Sequence, residues 1–442
     1  MRVTKLQIKN FRSFGENEQV IDFDKEKQVT VILGNNGCGK SSVVDALATI
    51  ISVFVSSFPN KSIKNFSKYD VHINKDSRPA DFLEVSASIK FSKLNDEITI
   101  SRALRGYGKG KLPEQNLKDI KIYAEELASQ IQNKAPDIVL PIFAYYGTGR
   151  GFFEMPQRRR NFKKIIERWD CYDGCLQPAA NFKKFIENYD LLEDEERREG
   201  KKLRDYDYEL PKLKAVRQAI EKFVSNKFSN PRIEVGPLRF VLDEKTNDGV
   251  REIRLEQMSD GYKIITTMVA DIATRMAEAN PEMPNPLDSP GIVLIDEIDL
   301  HLHPKWQRDI IEQLSNTFKN VQFIVTTHSP VVLLGGAEKV QVILLNDGKI
   351  EQNVVADLRD LSINQLLLGE AFKLDSIRSP YWQNKLNEQD VLLAKDKLTE
   401  DEKKQLEKLN EEVKQISFSD SADSKKINSL IEQIAKKIGV SL

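Results

Sequence analysis

Cysteine is nearly missing from this sequence of 442 residues: Cys38, Cys171 and Cys175 are the only three. Three thiols build no disulfide framework, and Cys171 and Cys175 form a lone C-x-x-x-C pair, not the Cys-x-x-Cys of a zinc hook. Histidine is almost as scarce, with four residues, of which only His72 stands apart from the motifs described below. That leaves little for a histidine-dependent nuclease centre. An excess of either charge sign is missing too, since 66 Lys and Arg face 67 Asp and Glu for a net charge of -1. No global field draws such a chain onto nucleic acid or an anionic membrane, so any such binding has to be local. The most apolar run, "ALATIISVFV" from Ala46 to Val55, is about half of what a bilayer crossing requires and reads as a buried helix. The start, "MRVTKLQIKN", lacks the apolar core of a signal peptide. A reducing cytoplasm and no membrane segment are therefore expected. Internal repeats and long low-complexity tracts are absent as well.

The length allows about three average domains, or one α/β core carrying insertions. "RVTKLQIKNF" alternates apolar and polar residues, "VIDF" follows, and "VTVIL" at 29–33 runs apolar into a glycine-rich loop before a helix from about Lys40. "LEVSASIKF" and "EITISRAL" read as an antiparallel pair beside these first strands, and "IVLPIFAYY" at 138–146 as a buried strand. Residues 151–236 show mostly helical periodicity with a heavily charged surface, which predicts a helical insertion. Beyond it come the strands "LRFVLDE" and "REIRLEQ", a helix from Ser259 to about Glu278, and a Pro-rich linker. The buried strands "IVLID" and "VQFIVTT" follow, separated by a helix from about Pro304. Strands alternating with helices predict a largely parallel sheet covered on both faces. From 363 to 442 the chain reads helical, and "LTEDEKKQLEKLNEEVKQI" predicts a charged amphipathic helix or short coiled coil. The expected divisions are 1–150, 151–236, 237–362 and 363–442.

Four motifs carry the chemistry. "GNNGCGKSS", from Gly34 through Asn35, Asn36, Gly37, Cys38, Gly39, Lys40 and Ser41 to Ser42, fits G-x-x-x-x-G-K-[ST] between a predicted strand and a predicted helix. Its glycines let backbone N–H groups turn inward around phosphate oxygens. Lys40 can reach the β- and γ-phosphates of ATP, and Ser41 can ligate Mg2+. Cys38 is expected there as a small residue. "GIVLIDEIDLHLHP" places Asp296 and Glu297 at the end of an apolar strand, where Asp296 can hold Mg2+ through water and Glu297 can polarise an attacking water. Asp299, His301 and His303 could suggest a metal cluster, but a contact with a second subunit explains them as well. "VQFIVTTHSP" ends a buried strand on His328, which either serves structure or senses the γ-phosphate through a neutral imidazole. The fourth, "MSDGYK", opens a helix with Ser259, Asp260 and Gly261. Ser259 can cap that helix, and the exposed amides and dipole of its first turn also suit an anion held by another copy of the chain.

The order "NFRSF", "GNNGCGKSS", "MSDGYK", "LIDEIDLHLHP", "TTHSP" resembles the ABC-type ATPases of the SMC and RecF group. More narrowly it resembles the OLD-like AAA-family ATPases, and among those the ATPase subunits of Septu and retron-associated anti-phage systems. The resemblance spans residues 1 to about 350. It implies an α/β, ABC-type P-loop ATPase head with an antiparallel β subdomain, a helical insertion and C-terminal helices. It also implies a homodimer or higher oligomer in which two heads sandwich two ATPs, Arg12 near the phosphates, and regulation of a separate effector such as an HNH-type nuclease. Retron RNA or DNA enters by the same route as a partner. The signature is Ser-Asp-Gly where transporters have Ser-Gly-Gly. No glutamine ends the "IFAYYGTGR" strand, so Tyr146, Thr148 and Arg150 stand as candidates for the family's Q-loop. The competing reading is a RecF-like repair ATPase clamping duplex DNA, and in either case Arg158, Arg159, Arg160, Lys163, Lys164 and Arg168 could bind phosphates or simply form a solvated face.

Overall fold

In chain order the strands and helices run β1 (Arg2–Lys9), β2 (Gln19–Asp22), β3 (Val29–Gly34), α1 (Lys40–Val55), β4 (Phe82–Lys90), β5 (Glu97–Arg105), α2 (Lys118–Gln132) and β6 (Ile142–Tyr146). They continue through α3 (Phe182–Leu203), α4 (Pro211–Val224), β7 (Phe228–Glu234), β8 (Arg239–Thr246), β9 (Gly249–Arg254), α5 (Asp260–Ala279), β10 (Gly291–Ile295) and α6 (Pro304–Thr317). The last are β11 (Val321–Thr327), α7 (Pro330–Leu333), β12 (Val340–Asn346), β13 (Lys349–Gln352), α8 (Ile363–Leu368), α9 (Pro380–Leu393) and α10 (Glu400–Lys414). This computed structural model describes residues 1–91, 96–107, 111–151, 167–178, 182–224, 227–352, 362–369, 372, 376, 378–395 and 398–414. The chain divides into two units, Met1–Lys373 and Leu374–Leu442.

The apolar runs decide the centre of the first unit. Every residue of β6, β10 and β11 is buried, which a strand tolerates only when both faces of its sheet are covered. With β3 and β12 they form a parallel core in the order β13-β12-β3-β11-β10-β6, closed at one edge by the antiparallel β13. Registration aligns Leu33 with Thr327, Ile295 with Val325 and Tyr146 with Ile295, so the carboxyl ends of four strands meet at one rim. In sheets of this kind ligands bind at that rim. The alternating strands build a separate antiparallel sheet, β2-β1-β4-β5, in which β4 buries every second residue, as expected when one face packs and the other is wet. The α/β architecture anticipated for this region is therefore present.

Several elements depart from expectation, the strands β12 and β13 among them. α2 was not anticipated, yet Ile120, Ala124, Leu127 and Ala128 form a buried stripe along it, and Tyr123 sits 4.5 Å from Phe91 and 6.3 Å from Phe54, ring centre to ring centre. Within 151–236, α3 and α4 are helical but Phe228–Glu234 is a strand, paired to β8 and through it to β9. Pro231 masks this strand in the sequence because proline cannot donate to a ladder; the pairing register shifts between Ser229 and Arg232 to accommodate it. The second unit is described by an antiparallel helix pair. Lys385 of α9 pairs with Glu412 of α10, and Gln389 lies against Asn410. Residues 415–442, where the further helix "INSLIEQIAKKIGV" is expected, lie outside the described residues.

Candidate functional site

Gly39 turns the loop after β3 into α1 with φ of 109°, in the left-handed region where side chains are strained. A β-carbon there would stand 2.3 Å from Ser13 Oγ and 3.2 Å from the Phe14 ring. The "NFRSF" turn is thus packed directly onto the Gly34–Ser42 loop. Asn35, Asn36 and Gly37 are exposed at the loop's crown, and Ser42 is buried in the first turn of α1. Cys38 is buried and burial pushes its thiol above the ordinary range, the behaviour of a small filler. Lys40 is folded back, donating to the carbonyls of Gly34 at 2.8 Å and Asn35 at 2.9 Å.

Ser41 Oγ donates to Asp296 Oδ2 at 2.7 Å, although the loop and Asp296 stand 255 residues apart in sequence. The other carboxylate oxygen accepts from Thr326 Oγ1 at 2.6 Å. Asp296 is buried, and both its oxygens are aimed by hydroxyls, one from the first turn of α1 and one from the neighbouring strand β11. Next to it Glu297 has φ of 50°. Among the described residues its half-buried carboxylate has no hydrogen-bond partner, while its N–H donates to Thr326 Oγ1 at 2.7 Å. Thr326 therefore serves both acids. Sequence reasoning passed over it, because a threonine in a buried strand carries no signature of its own. His328, at the end of β11, is half-exposed with Nε2 3.3 Å from Asp299 Oδ2, and Asp299 Oδ1 accepts from Thr327 Oγ1.

The candidates after β6 separate cleanly. Tyr146 points away from the rim and donates to Asp271 of α5 at 2.7 Å. Thr148 lies in a short 3-10 turn and is exposed. Arg150 is 2% exposed and donates to the carbonyls of Gly147 at 3.1 Å, Asp296 at 2.5 Å and Glu297. Burial pushes its guanidinium down to about 10, so it stays charged at neutral pH.

Ser259 occupies the N-cap position of α5, but its hydroxyl makes no capping bond. The first-turn amides are left open beside a hollow of about 350 Å3 lined by Ser259, Asp260, Gly261, Tyr262, His301, His303 and Trp306. Ser259 and Asp260 are exposed, and Asp260 pairs with Lys263 at 2.8 Å, which holds its carboxyl below the usual range. A β-carbon at Gly261 would meet the His301 carbonyl at 2.9 Å, so only glycine lets the turn after Glu297 approach the helix this closely. His303 accepts from Lys305 N as the cap of α6, and His301 is exposed. Among the described residues no three His, Cys, Asp or Glu converge on a point where a metal would sit. Nor do Ser259–Gly261 hydrogen-bond to the phosphate loop.

Arg12 stands beside the loop but is occupied, with Nε 2.8 Å from Asp70 and Nη1 2.6 Å from Asp45 of α1. Arg168 is likewise committed, donating to the carbonyls of Ala279 at 2.7 Å and Ile138. It pins the insertion to the core and is not an open phosphate ligand. Arg158, Arg159, Arg160, Lys163 and Lys164 lie outside the described residues.

The sequence as a whole agrees with this geometry. Residues 5–227 match the AAA domain family model and residues 176–333 the AAA ATPase domain model. The "Retron Ec83 probable ATPase" of Escherichia coli is 30% identical over 75% of this chain and 69% of its own length. The "Septu protein PtuA" of Bacillus mycoides (strain KBAB4) is 37% identical over a shorter stretch, 27% of this chain and 17% of that protein. Among solved structures, the Smc head domain derived from Pyrococcus furiosus aligns with 79% of this chain and 95% of that one, at 18% identity and a TM-score of 0.47. A phosphate loop hydrogen-bonded through Ser41 to the acid at the end of β10, in a chain that matches the AAA domain over half its length and a retron ATPase over most of it, makes this protein a member of the AAA-domain ATPases, in the branch that includes the retron ATPases.

Proposed function

We propose that two copies of this ATPase close around two ATPs, each copy's Ser259–Gly261 turn covering the γ-phosphate held on the other's Lys40 loop, and that this closure governs a separate nuclease in anti-phage defence. The observation that carries the first half is the idle N-cap. The α5 amides and dipole are left for an anion, yet the chain's own Gly34–Ser42 loop makes no hydrogen bond to them. In this reading Lys40 leaves the Gly34 and Asn35 carbonyls for the β- and γ-phosphates. Glu297 accepts a proton from the attacking water, and His328, oriented by Asp299, donates to the γ-phosphate. Ser41 Oγ and Asp296 Oδ2, already within hydrogen-bond distance, are hard oxygens of the kind Mg2+ takes. When bound there the ion neutralises phosphate charge.

Mixing Lys40→Ala with Ser259→Arg protein is expected to restore part of the ATPase activity that each variant lacks alone. A mixed pair keeps one composite site with both halves intact. If mixed pairs form, as shown by two-tag capture, and no activity returns, either the shared site is wrong or the two sites must fire together.

The second half rests on sequence likeness to the retron and Septu proteins and on apolar side chains left bare along α9, where Tyr381, Val391 and Leu393 are each about 60% exposed. Such a helix pair suits a partner protein's surface. Purified free of other chains, the protein is expected to cleave neither DNA nor RNA in Mg2+. Cleavage abolished by a point change within this chain would overturn the regulatory reading.

A further inference from the structure

We infer that Arg150 is a positioning residue for hydrolysis, its guanidinium clamping the backbone of the Asp296–Glu297 turn so that Glu297 faces the site of water attack. The inference rests on Glu297 being the general base. It begins from strain: a non-glycine residue at φ of 50° persists only where its surroundings over-determine it, at a cost of about 1 kcal/mol or more. An account of the four backbone polar groups of this dipeptide shows what does so. Asp296 N–H donates to the Tyr146 carbonyl at 2.8 Å, and Glu297 N–H to Thr326 Oγ1 at 2.7 Å. The two carbonyls both accept from the one guanidinium of Arg150. Leu300 N adds a second donor to Glu297 at 2.9 Å, but nothing else among the described residues reaches the Asp296 carbonyl.

Only a planar fork of N–H donors serves successive carbonyls in this way; a lysine ammonium is a point charge at the end of a flexible stem. Among the described residues the charge of Arg150 has no carboxylate within ion-pair distance, only the more distant charges of Asp296, Asp299 and Glu297 favouring it, and burying a charge without a direct ionic partner costs several kcal/mol. A fold needing only a filled space here would be served better by an apolar side chain. The carbonyls it holds flank the Cα that aims the reacting carboxylate, and the rotation held in place is the one at φ of Glu297. Misplacing a catalytic group by about an ångström costs about a hundredfold in rate.

Arg150→Lys and Arg150→Ala in the full chain test this, with turnover measured beside the affinity for a fluorescent ATP analogue. Both are expected to lose about a hundredfold in kcat while analogue affinity stays within about threefold, since the hydrogen bonds of Arg150 go to Gly147, Asp296 and Glu297 and none to the Gly34–Ser42 loop. Millimolar guanidinium chloride should return part of the activity to Arg150→Ala, whose cavity admits it, and none to Arg150→Lys. Should Arg150→Ala fail to fold, Arg150→Lys decides alone. Turnover within about threefold of wild type, or analogue affinity lost in step with turnover, would overturn the inference. Glu297→Gln run in parallel separates the two claims: wild-type turnover there removes the general base itself, whereas an inactive Glu297→Gln beside an active Arg150→Lys removes only the clamp.

Discussion

Glu297→Gln is expected to bind ATP with near-normal affinity and to hydrolyse it at least about a hundredfold more slowly, because a positioned proton acceptor contributes about 10²–10⁴ in rate. The substitution is nearly isosteric. It leaves untouched the backbone bonds that hold the turn, to Thr326 Oγ1, Leu300 N and Arg150, and among the described residues the carboxylate itself has no partner to lose. The loss therefore falls on the chemical step. Under the shared-site reading the variant should also accumulate as an ATP-locked oligomer, visible as an earlier-eluting species by size-exclusion chromatography in ATP and Mg2+ and absent in ADP. Steady-state turnover near that of the wild type would show that another group activates the water.

The parts of this site that could be read from sequence are those where chemistry demands a residue type at a fixed spacing. Glycines, Lys40 and Ser41 must follow a strand within one turn, and Asp296 and Glu297 must end an apolar one. The rim that gathers them could be anticipated because uninterrupted apolar strands force a covered parallel sheet. What could not be read is the scaffolding that acts through backbone. Arg150 could be read only as one of three candidates for the family's Q-loop, and its place beneath the Asp296–Glu297 turn was not legible, since a sequence does not reveal which carbonyls lie within reach of an arginine. Arg12 and Arg168 teach the same lesson. Each has an unspecific donor set, and tertiary neighbours, Asp45 and Asp70 for one and the carbonyls of Ile138 and Ala279 for the other, decide its use. Ser259 is the converse case, a natural capping residue by type whose hydroxyl does not cap.

A second large effect is expected on α5. Asp271 and Arg275 lie one turn apart on α5, both buried, with Arg275 Nε 2.9 Å from Asp271 Oδ2. The same carboxylate oxygen accepts from Tyr146 at 2.7 Å, and Arg275 also donates to the carbonyls of Cys171 and, at 3.1 Å, Asp173. One ion pair thereby joins β6, α5 and the start of the insertion. Removing one partner of a buried pair strands the other charge in a medium that solvates it poorly, at a cost of about 3–5 kcal/mol, whereas replacing both by apolar groups of similar volume is often neutral. Arg275→Met should therefore lower stability by about 3–5 kcal/mol, read as a lower urea midpoint at unchanged slope. The double variant Asp271→Leu with Arg275→Met should recover much of that loss, leaving mainly the unpaired Tyr146 hydroxyl and the Cys171 and Asp173 carbonyls to be satisfied, each at about 1–3 kcal/mol if water does not reach them. Because Tyr146 also receives the Asp296 N–H, a partly unfolded α5 would loosen the Asp296–Glu297 turn. Activity in Arg275→Met should then fall with rising temperature well before the wild type's does. A single variant as stable as wild type would mean that water reaches Asp271. A double variant no better than the single would place the stabilisation in the Cys171 and Asp173 carbonyl bonds, not in the ion pair.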